Sequence, residues 1–216
     1  MVTAKRWDCY ARFYDLLLKS MAAERAQLFQ RLDLSQPLQV YLAGCDSGLD
    51  LPYLPAQSTV LAVDFSAEML KHCESLQQKL DSQGHQLDLT LRQSKAELSG
   101  LVDQSVDLVI LHLILAVTDN PQGLLQEAVR VLKPGGKISI WDKFVPPNQS
   151  ISMLRRFLDF FSRKLGTTLL LQIDTLLQGY SLAIIQRQAL LGGQMQHLLL
   201  QKATQEEPQN NRIGVA

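Results

Sequence analysis

The sequence predicts an α/β fold, a doubly wound and mostly parallel sheet of seven strands with helices on both faces. Three observations predict it. From residue 38 onward, short apolar runs alternate with helical stretches, as repeated strand–helix units require. The first run ends in a glycine-bearing loop, Gly44-Cys45-Asp46-Ser47-Gly48, and the second ends in an acid, Asp64. After Asp142 two more extended runs follow, a closing pair of strands. The chain has 216 residues, 46% hydrophobic and 19% charged, which suits one core with an appendage.

Before residue 36 the pattern is helical. Trp7, Tyr10, Tyr14, Leu17 and Leu18 recur at spacings of three and four, as do Leu28, Phe29 and Leu32. Residues 1–35 are read as an N-terminal helical lid. Runs 38–43, 59–63, 87–91, 106–113 and 137–141 read as strands one to five. Ser66 suits an N-cap with Glu68 in the first turn, opening a helix to about residue 80. Pro121 suits the first position of a helix ending near residue 132, and Pro134-Gly135-Gly136 then forces a turn. Ser150 would cap a helix with Leu154, Phe157, Leu158, Phe161 and Leu165 on one side. A second helix covers about 168–178, and 180–186 and 194–202 are the last strands. The α/β domain is thus expected over 36–202. The tail 203–216, rich in Gln, Glu, Pro and Asn, offers no apolar face and is expected to be disordered.

Charge and cysteine usage exclude several classes. Lys and Arg number 21 and so do Asp and Glu, so no global basic field awaits a nucleic acid. Cys9, Cys45 and Cys73 form no C-x-x-C pair and leave an odd thiol, which favours a reducing, cytoplasmic setting. No apolar leader core follows Lys5-Arg6. The longest apolar run, 108–117, is interrupted by His112 and falls far short of the roughly 18 residues of a membrane span. A soluble or peripheral protein is expected. His72, His85 and His197 share no ligand spacing with one another or with the cysteines, so no metal site is expected.

In an open α/β sheet the ligand crevice lies beyond the carboxyl ends of the strands, near the switch point. The loop 44–48 falls there. A dinucleotide fingerprint would need glycines at 44, 46 and 49, but 46 is Asp and 49 is Leu. A G-x-G-x-G loop fails only at 46. Asp64 follows Gly44 by 20 residues, the position from which a carboxylate accepts hydrogen bonds from a ribose hydroxyl pair. Without a ligand, the same features would be a tight strand–helix turn and a helix-entry acid.

These residues, with Val63-Asp64-Phe65-Ser66-Ala67-Glu68-Met69-Leu70, Asp107-Leu108-Val109 and Val131-Leu132-Lys133-Pro134-Gly135-Gly136, resemble class I S-adenosylmethionine (SAM)-dependent methyltransferases with their Rossmann-like fold. The resemblance runs from about Tyr10 to Lys202. Tyr10-Ala11-Arg12-Phe13-Tyr14-Asp15, Leu49-Asp50-Leu51-Pro52-Tyr53-Leu54-Pro55 and Asp142-Lys143-Phe144 are similar to bacterial phosphatidylethanolamine N-methyltransferases and ubiquinone/menaquinone C-methyltransferases. The resemblance implies that Gly44, Cys45, Asp46 and Gly48 line the methionine end of SAM. It implies that Asp64 holds the ribose, that Phe65 and Met69 flank the adenine, and that Lys95-Ala96-Glu97 lies over the adenine edge. Leu111 and His112 would face the sulfonium and the acceptor, and Tyr10 and Tyr14 would belong to the lid. The implied catalytic residues are His112 and Tyr14.

Three positions depart from the family. Leu42 stands where an acid is usual in strand one, Asp46 where Gly is usual, and Lys95 where an Asp often accepts from adenine. Asp46 offers a carboxylate in place of the missing acid, for the methionine amino group. The resemblance implies methyl transfer to a small or lipid-like acceptor, a phospholipid amine or a quinone ring carbon. A second reading is a non-catalytic binding or regulatory protein on the same fold. Arg155-Arg156-Phe157-Leu158-Asp159-Phe160-Phe161-Ser162-Arg163-Lys164 reads as a core-packing helix with solvated cations, or as a basic face for an anionic membrane, peripheral to its inner side.

Overall fold

The computed structural model describes residues 21–32, 34–146, 153, 157, 159, 167–190 and 195–204. Helix α1 (Ala22–Phe29) precedes β1 (Gln39–Ala43), and a 3-10 turn (Leu51–Tyr53) leads to β2 (Thr59–Asp64). Then come α2 (Ala67–Ser82), β3 (Asp88–Gln93), β4 (Val106–His112), α3 (Pro121–Val131), β5 (Leu132–Lys143), α4 (Ile173–Leu176), β6 (Leu182–Leu190) and β7 (Met195–Lys202). The seven strands form one sheet in the order β3-β2-β1-β4-β5-β7-β6. β7 runs antiparallel to both β5 and β6, and the other pairs are parallel. The order reverses between β1 and β4, and ligand crevices open at such a switch point.

Side-chain alternation sorts the core into two layers. Tyr41, Val63, Val109, Leu111, Ile138 and Ile140 pack against Leu124, Leu125, Ala128 and Val131 of α3. Val40, Leu42, Val60, Ala62, Leu108 and Ile110 turn the other way, onto Cys73 and Leu80 of α2 and onto Phe29 of α1. The central strands are buried on both faces, which explains their near-continuous apolar runs. The helix starts follow the sequence. Ser66 Oγ accepts the Met69 N–H at 3.2 Å, and Asn120 Oδ1 accepts the Gly123 N–H at 2.9 Å just before Pro121.

Two elements differ from the sequence reading. Pro134-Gly135-Gly136 lies inside β5 instead of ending an element before it. Val106 pairs with Leu132 but Leu108 with Lys137, so the expected turn survives as a bulge at Gly135, whose φ is 77°. The helix expected over 168–178 shrinks to Ile173–Leu176. Thr168 Oγ1 and the Leu169 N–H both donate to the buried Asp159, which holds that backbone away from a helical path. The expected lid residues Tyr10 and Tyr14 lie outside the described residues. So do Ser150, most of the helix expected after it, and positions 205–216.

Gly44 has a φ of +68°, and a Cβ added there would overlap Ile114 Cδ1. Gly84 has a φ of +82°, with nothing within 4 Å of an added Cβ. Gly44→Ala is expected to cost about 2–4 kcal/mol, from left-handed strain plus overpacking. Gly84→Ala should cost about 1 kcal/mol, from strain alone. Urea denaturation of the two variants checks this; equal losses would contradict the close packing of the loop.

Candidate active site

The loop after β1 curls because every second residue is left-handed: φ is 68° at Gly44, 50° at Asp46 and 81° at Gly48. Asp tolerates that conformation better than most residues with a side chain, so Asp46 keeps a glycine-like backbone. The loop is clasped from β2. The Cys45 N–H donates to Val63 O at 2.9 Å, and the Asp46 N–H to Asp64 Oδ2 at 2.9 Å. Asp64 Oδ1 accepts the Ser66 N–H at 2.8 Å. One carboxylate thus fixes both the loop and the entry to α2. The Phe65 ring beside it is 41% exposed, while Met69 is buried in the first turn of α2.

Lys95 is exposed, Ala96 buried and Glu97 half-buried. The Tyr41 hydroxyl donates to Ala96 O, which anchors this segment to β1. Burial, then Glu127 and Glu97, push the Tyr41 hydroxyl well above the usual phenol range, so it keeps its proton. Glu127 of α3 accepts from the Ser99 N–H at 3.2 Å and holds the far end of the segment. Cys45 is buried. The neighbouring Cys73 thiol, and then burial, raise it well above the ordinary thiol range, so it is no thiolate nucleophile.

Leu111 and His112 alternate to opposite faces of β4. Leu111 packs in the α3 layer and points away from His112. His112 is buried in a polar chain that no local motif announces. Its Nδ1 meets Asp50 Oδ2 at 3.0 Å, and Asp50 Oδ1 accepts from Arg25 Nε at 2.7 Å. On the other side His112 Nε2 meets Ser139 Oγ at 2.9 Å, and Ser139 Oγ meets His197 Nε2 at 3.1 Å. Arg25 also lies over the Trp141 ring, 5.4 Å from its centroid. Burial alone would push the Asp50 carboxyl up, but His112 and then Arg25 hold it down at about 2. Burial first, and then the neighbouring His112 and Arg31, push His197 down to about 3.

The turn after β4 is strained. Leu113 has a φ of 60°, unusual for a bulky side chain, and its N–H donates to Trp141 O at 2.7 Å. The next residue, Ile114, packs under Gly44. Two residues on, the Ala116 N–H donates to Asp142 Oδ2 at 2.9 Å, and burial raises the Asp142 carboxyl. Among the described residues no group of three or more His, Cys, Asp or Glu could hold a metal ion. Among them, too, no helix is long and apolar enough to cross a membrane.

Residues 42–140 match the protein family described as "Methyltransferase domain". The chain is 28% identical over 141 residues to rat thiol S-methyltransferase TMT1B, covering 63% of this chain and 57% of that protein. It is 27% identical over 128 residues to phosphatidylethanolamine N-methyltransferase of Cereibacter sphaeroides, covering 59% of this chain and 62% of the relative. The chain thus spans about six tenths of the length of these relatives. Its fold is like that of a SAM-dependent methyltransferase from Aquifex aeolicus, with a TM-score of 0.60 at 17% identity, over 82% of this chain and 88% of that one.

The buried chain makes acid stability directional. The folded pKa of Asp50 lies below its unfolded value, so its contribution is full above about pH 4 and is lost as pH falls towards 2, about 2 kcal/mol in all. The folded pKa of His197 also lies below its unfolded value. Between pH 6.5 and about 3 the unfolded chain therefore binds the extra proton, and stability falls with pH by up to about 1.4 kcal/mol per unit. Urea midpoints should begin to drop near pH 6, and His197→Phe should flatten the curve down to about pH 4. An unchanged slope in that variant would contradict the neutral, buried His197.

Proposed function

We propose that this protein, whose residues 42–140 match the methyltransferase-domain family, transfers a methyl group from S-adenosylmethionine to a small or lipid-like acceptor. The observation that carries the reading is the clasp of the left-handed loop 44–48 onto Asp64, beside the open face of Phe65. The residues fit the donor part by part. Asp64, at the end of β2, stands where a carboxylate accepts from a ribose hydroxyl pair. Phe65 offers a ring face to adenine. The curled backbone at Gly44, Asp46 and Gly48 would meet the methionine end, where Asp46 brings the carboxylate that Leu42 in β1 does not.

When bound, the donor supplies an electrophilic methyl group on a sulfonium, and the protein's part is orientation and exclusion of water. Ile114 packs against Gly44, and the Leu113 turn fixes where β4 ends. The acceptor would enter beside His112 and Trp141, where Leu28, Leu113, Leu190 and Met195 make an apolar wall. That wall suits an acceptor with an apolar body, a phospholipid amine or a quinone-type ring. Met153 and Phe157, four residues apart, are 81% and 61% exposed, in a stretch that also holds Arg155, Arg156, Arg163 and Lys164. They support peripheral contact with an anionic membrane as the source of such an acceptor.

Calorimetric titration with S-adenosylhomocysteine tests the reading. The wild-type protein should bind with a Kd between about 1 μM and 1 mM, the range common for enzyme ligands. Asp64→Asn should weaken binding at least about tenfold, or about 1.4 kcal/mol. Absence of wild-type binding at millimolar ligand would contradict methyl transfer and favour the non-catalytic protein.

A further inference from the structure

A row of four side chains crosses one face of the sheet at the level of the β4 end. His112 pairs in register with Trp141, Trp141 with His197, and His197 with Gln188. Register partners stand side by side on the same face of a sheet. Three of the four carry a buried polar atom with no hydrogen-bond partner among the described residues: Trp141 Nε1, His197 Nδ1 and Gln188 Oε1. Trp141 and His197 are fully buried. Native interiors leave only a few such atoms unmet and scattered, and three in adjacent register positions point to a molecule that belongs there.

The hydrogen-bond roles can be worked out from one end. Asp50 is ionised and accepts only, so His112 Nδ1 donates to it. The relay requires the tautomer with the His112 proton on Nδ1, in which Nε2 accepts from the Ser139 hydroxyl. Ser139 Oγ in turn accepts from His197 Nε2–H. His197 Nδ1 is left with a lone pair, on the sheet face where its register partner Trp141 carries an N–H. The row therefore presents a base next to a donor, with the Gln188 carbonyl beyond. A neutral group that both gives and takes a hydrogen bond matches it, and the apolar wall of Leu28, Leu190 and Met195 matches the body behind that group.

We propose that Trp141, His197 and Gln188 hold the acceptor's nucleophilic group, a weakly acidic S–H or O–H, and that His197 Nδ1 takes its proton. The proposal rests on the methyl-transfer reading and narrows its small acceptor to one bearing an S–H or O–H, in place of an amine or a ring carbon. The X–H bond breaks, and its electron pair stays on X and forms the X–CH3 bond. The methyl–sulfur bond of the sulfonium donor breaks with its pair left on sulfur. The proton enters at His197 Nδ1, the Nε2 proton passes to Ser139 Oγ, and the Ser139 proton passes to His112 Nε2. The charge comes to rest on His112, facing the Asp50 carboxylate that Arg25 also holds. His197 is the catalytic base, and Ser139, His112 and Asp50 act through it as positioning residues. Helix α1, which carries Arg25 and Leu28, covers the row, so entry requires that helix to shift.

The probe is 4-nitrophenol, a weakly acidic O–H whose ionisation is visible by absorbance, titrated into the full chain with and without S-adenosylhomocysteine. Wild-type protein should bind it saturably, and the bound phenol should be more ionised than free phenol at the same pH. Trp141→Phe keeps the ring and removes the donor, and should weaken binding at least tenfold. Ser139→Ala cuts the relay; it should leave affinity within about threefold of wild type while the excess phenolate disappears, a split that a purely structural serine would not produce. Gln188→Leu, on the half-buried edge strand, should weaken binding about threefold and keeps the test decisive if Trp141→Phe does not fold. Absence of saturable phenol binding, or variants that bind and ionise it like wild type, would overturn the proposal. S-adenosylhomocysteine binding without phenol binding would sink the acceptor row alone. Phenol binding without S-adenosylhomocysteine binding would sink the methyl-transfer reading alone.

Discussion

The buried carboxylate of Asp50 is the constraint from which the rest of the site follows. A carboxylate in so enclosed a place is costly unless cations and donors surround it. Asp50 meets this by drawing Arg25 from α1 and His112 from the end of β4 onto the segment that follows β1. Three parts of the chain that share no local sequence are tied at one point. The tie determines where β4 stops, and hence where Leu113 turns and where Ile114 meets Gly44. Removing Arg25 or His112 would leave the Asp50 carboxylate buried and short of a donor, so the group stands or falls together. Its net contribution to stability is smaller than its contribution to geometry.

A second carboxylate does comparable work across the crevice. Asp64 holds the loop through the Asp46 N–H and the start of α2 through the Ser66 N–H. Asp46 occupies a left-handed position where glycine would be free of strain. The degenerate loop therefore retains the curl of a glycine loop while adding a carboxylate. One carboxylate braces the β1–β2 side of the switch point and the other braces the β1–β4 side. The loop between them is what a bound nucleoside would touch.

The central strands were legible because buried strands read as apolar runs bounded by turn residues, while the edge strands β3 and β6 are largely exposed and showed weaker patterns; Ser66 and Pro121 announced their helices. The stretch 168–178 read as helical from its leucines, yet Asp159 takes the Thr168 hydroxyl and the Leu169 N–H, and the helix begins only at Ile173. Tertiary capture overrode local propensity there. Asp64 was legible by its spacing from Gly44. The polar chain was not: its bonds join residues 25, 62, 27 and 58 positions apart, beyond any window of periodicity or motif. Asp50 lay in a segment noted only for its likeness to a family, and His197 read as an ordinary residue of a late strand. Only the pairing of β4, β5 and β7 sets His112, Ser139 and His197 beside one another, and only the tertiary fold brings Asp50 and Arg25 to them.

The central claim is that the crevice between β1, β2 and β4 holds a nucleoside methyl donor, braced by Asp64. A crystal structure grown with S-adenosylhomocysteine tests it most directly. The account predicts the ribose hydroxyls on the Asp64 carboxylate, the adenine against Phe65 and the sulfur turned towards the Leu113 turn. Density for the ligand elsewhere, or a crevice closed by Ile114 and the Asp46 side chain at saturating ligand, would contradict it.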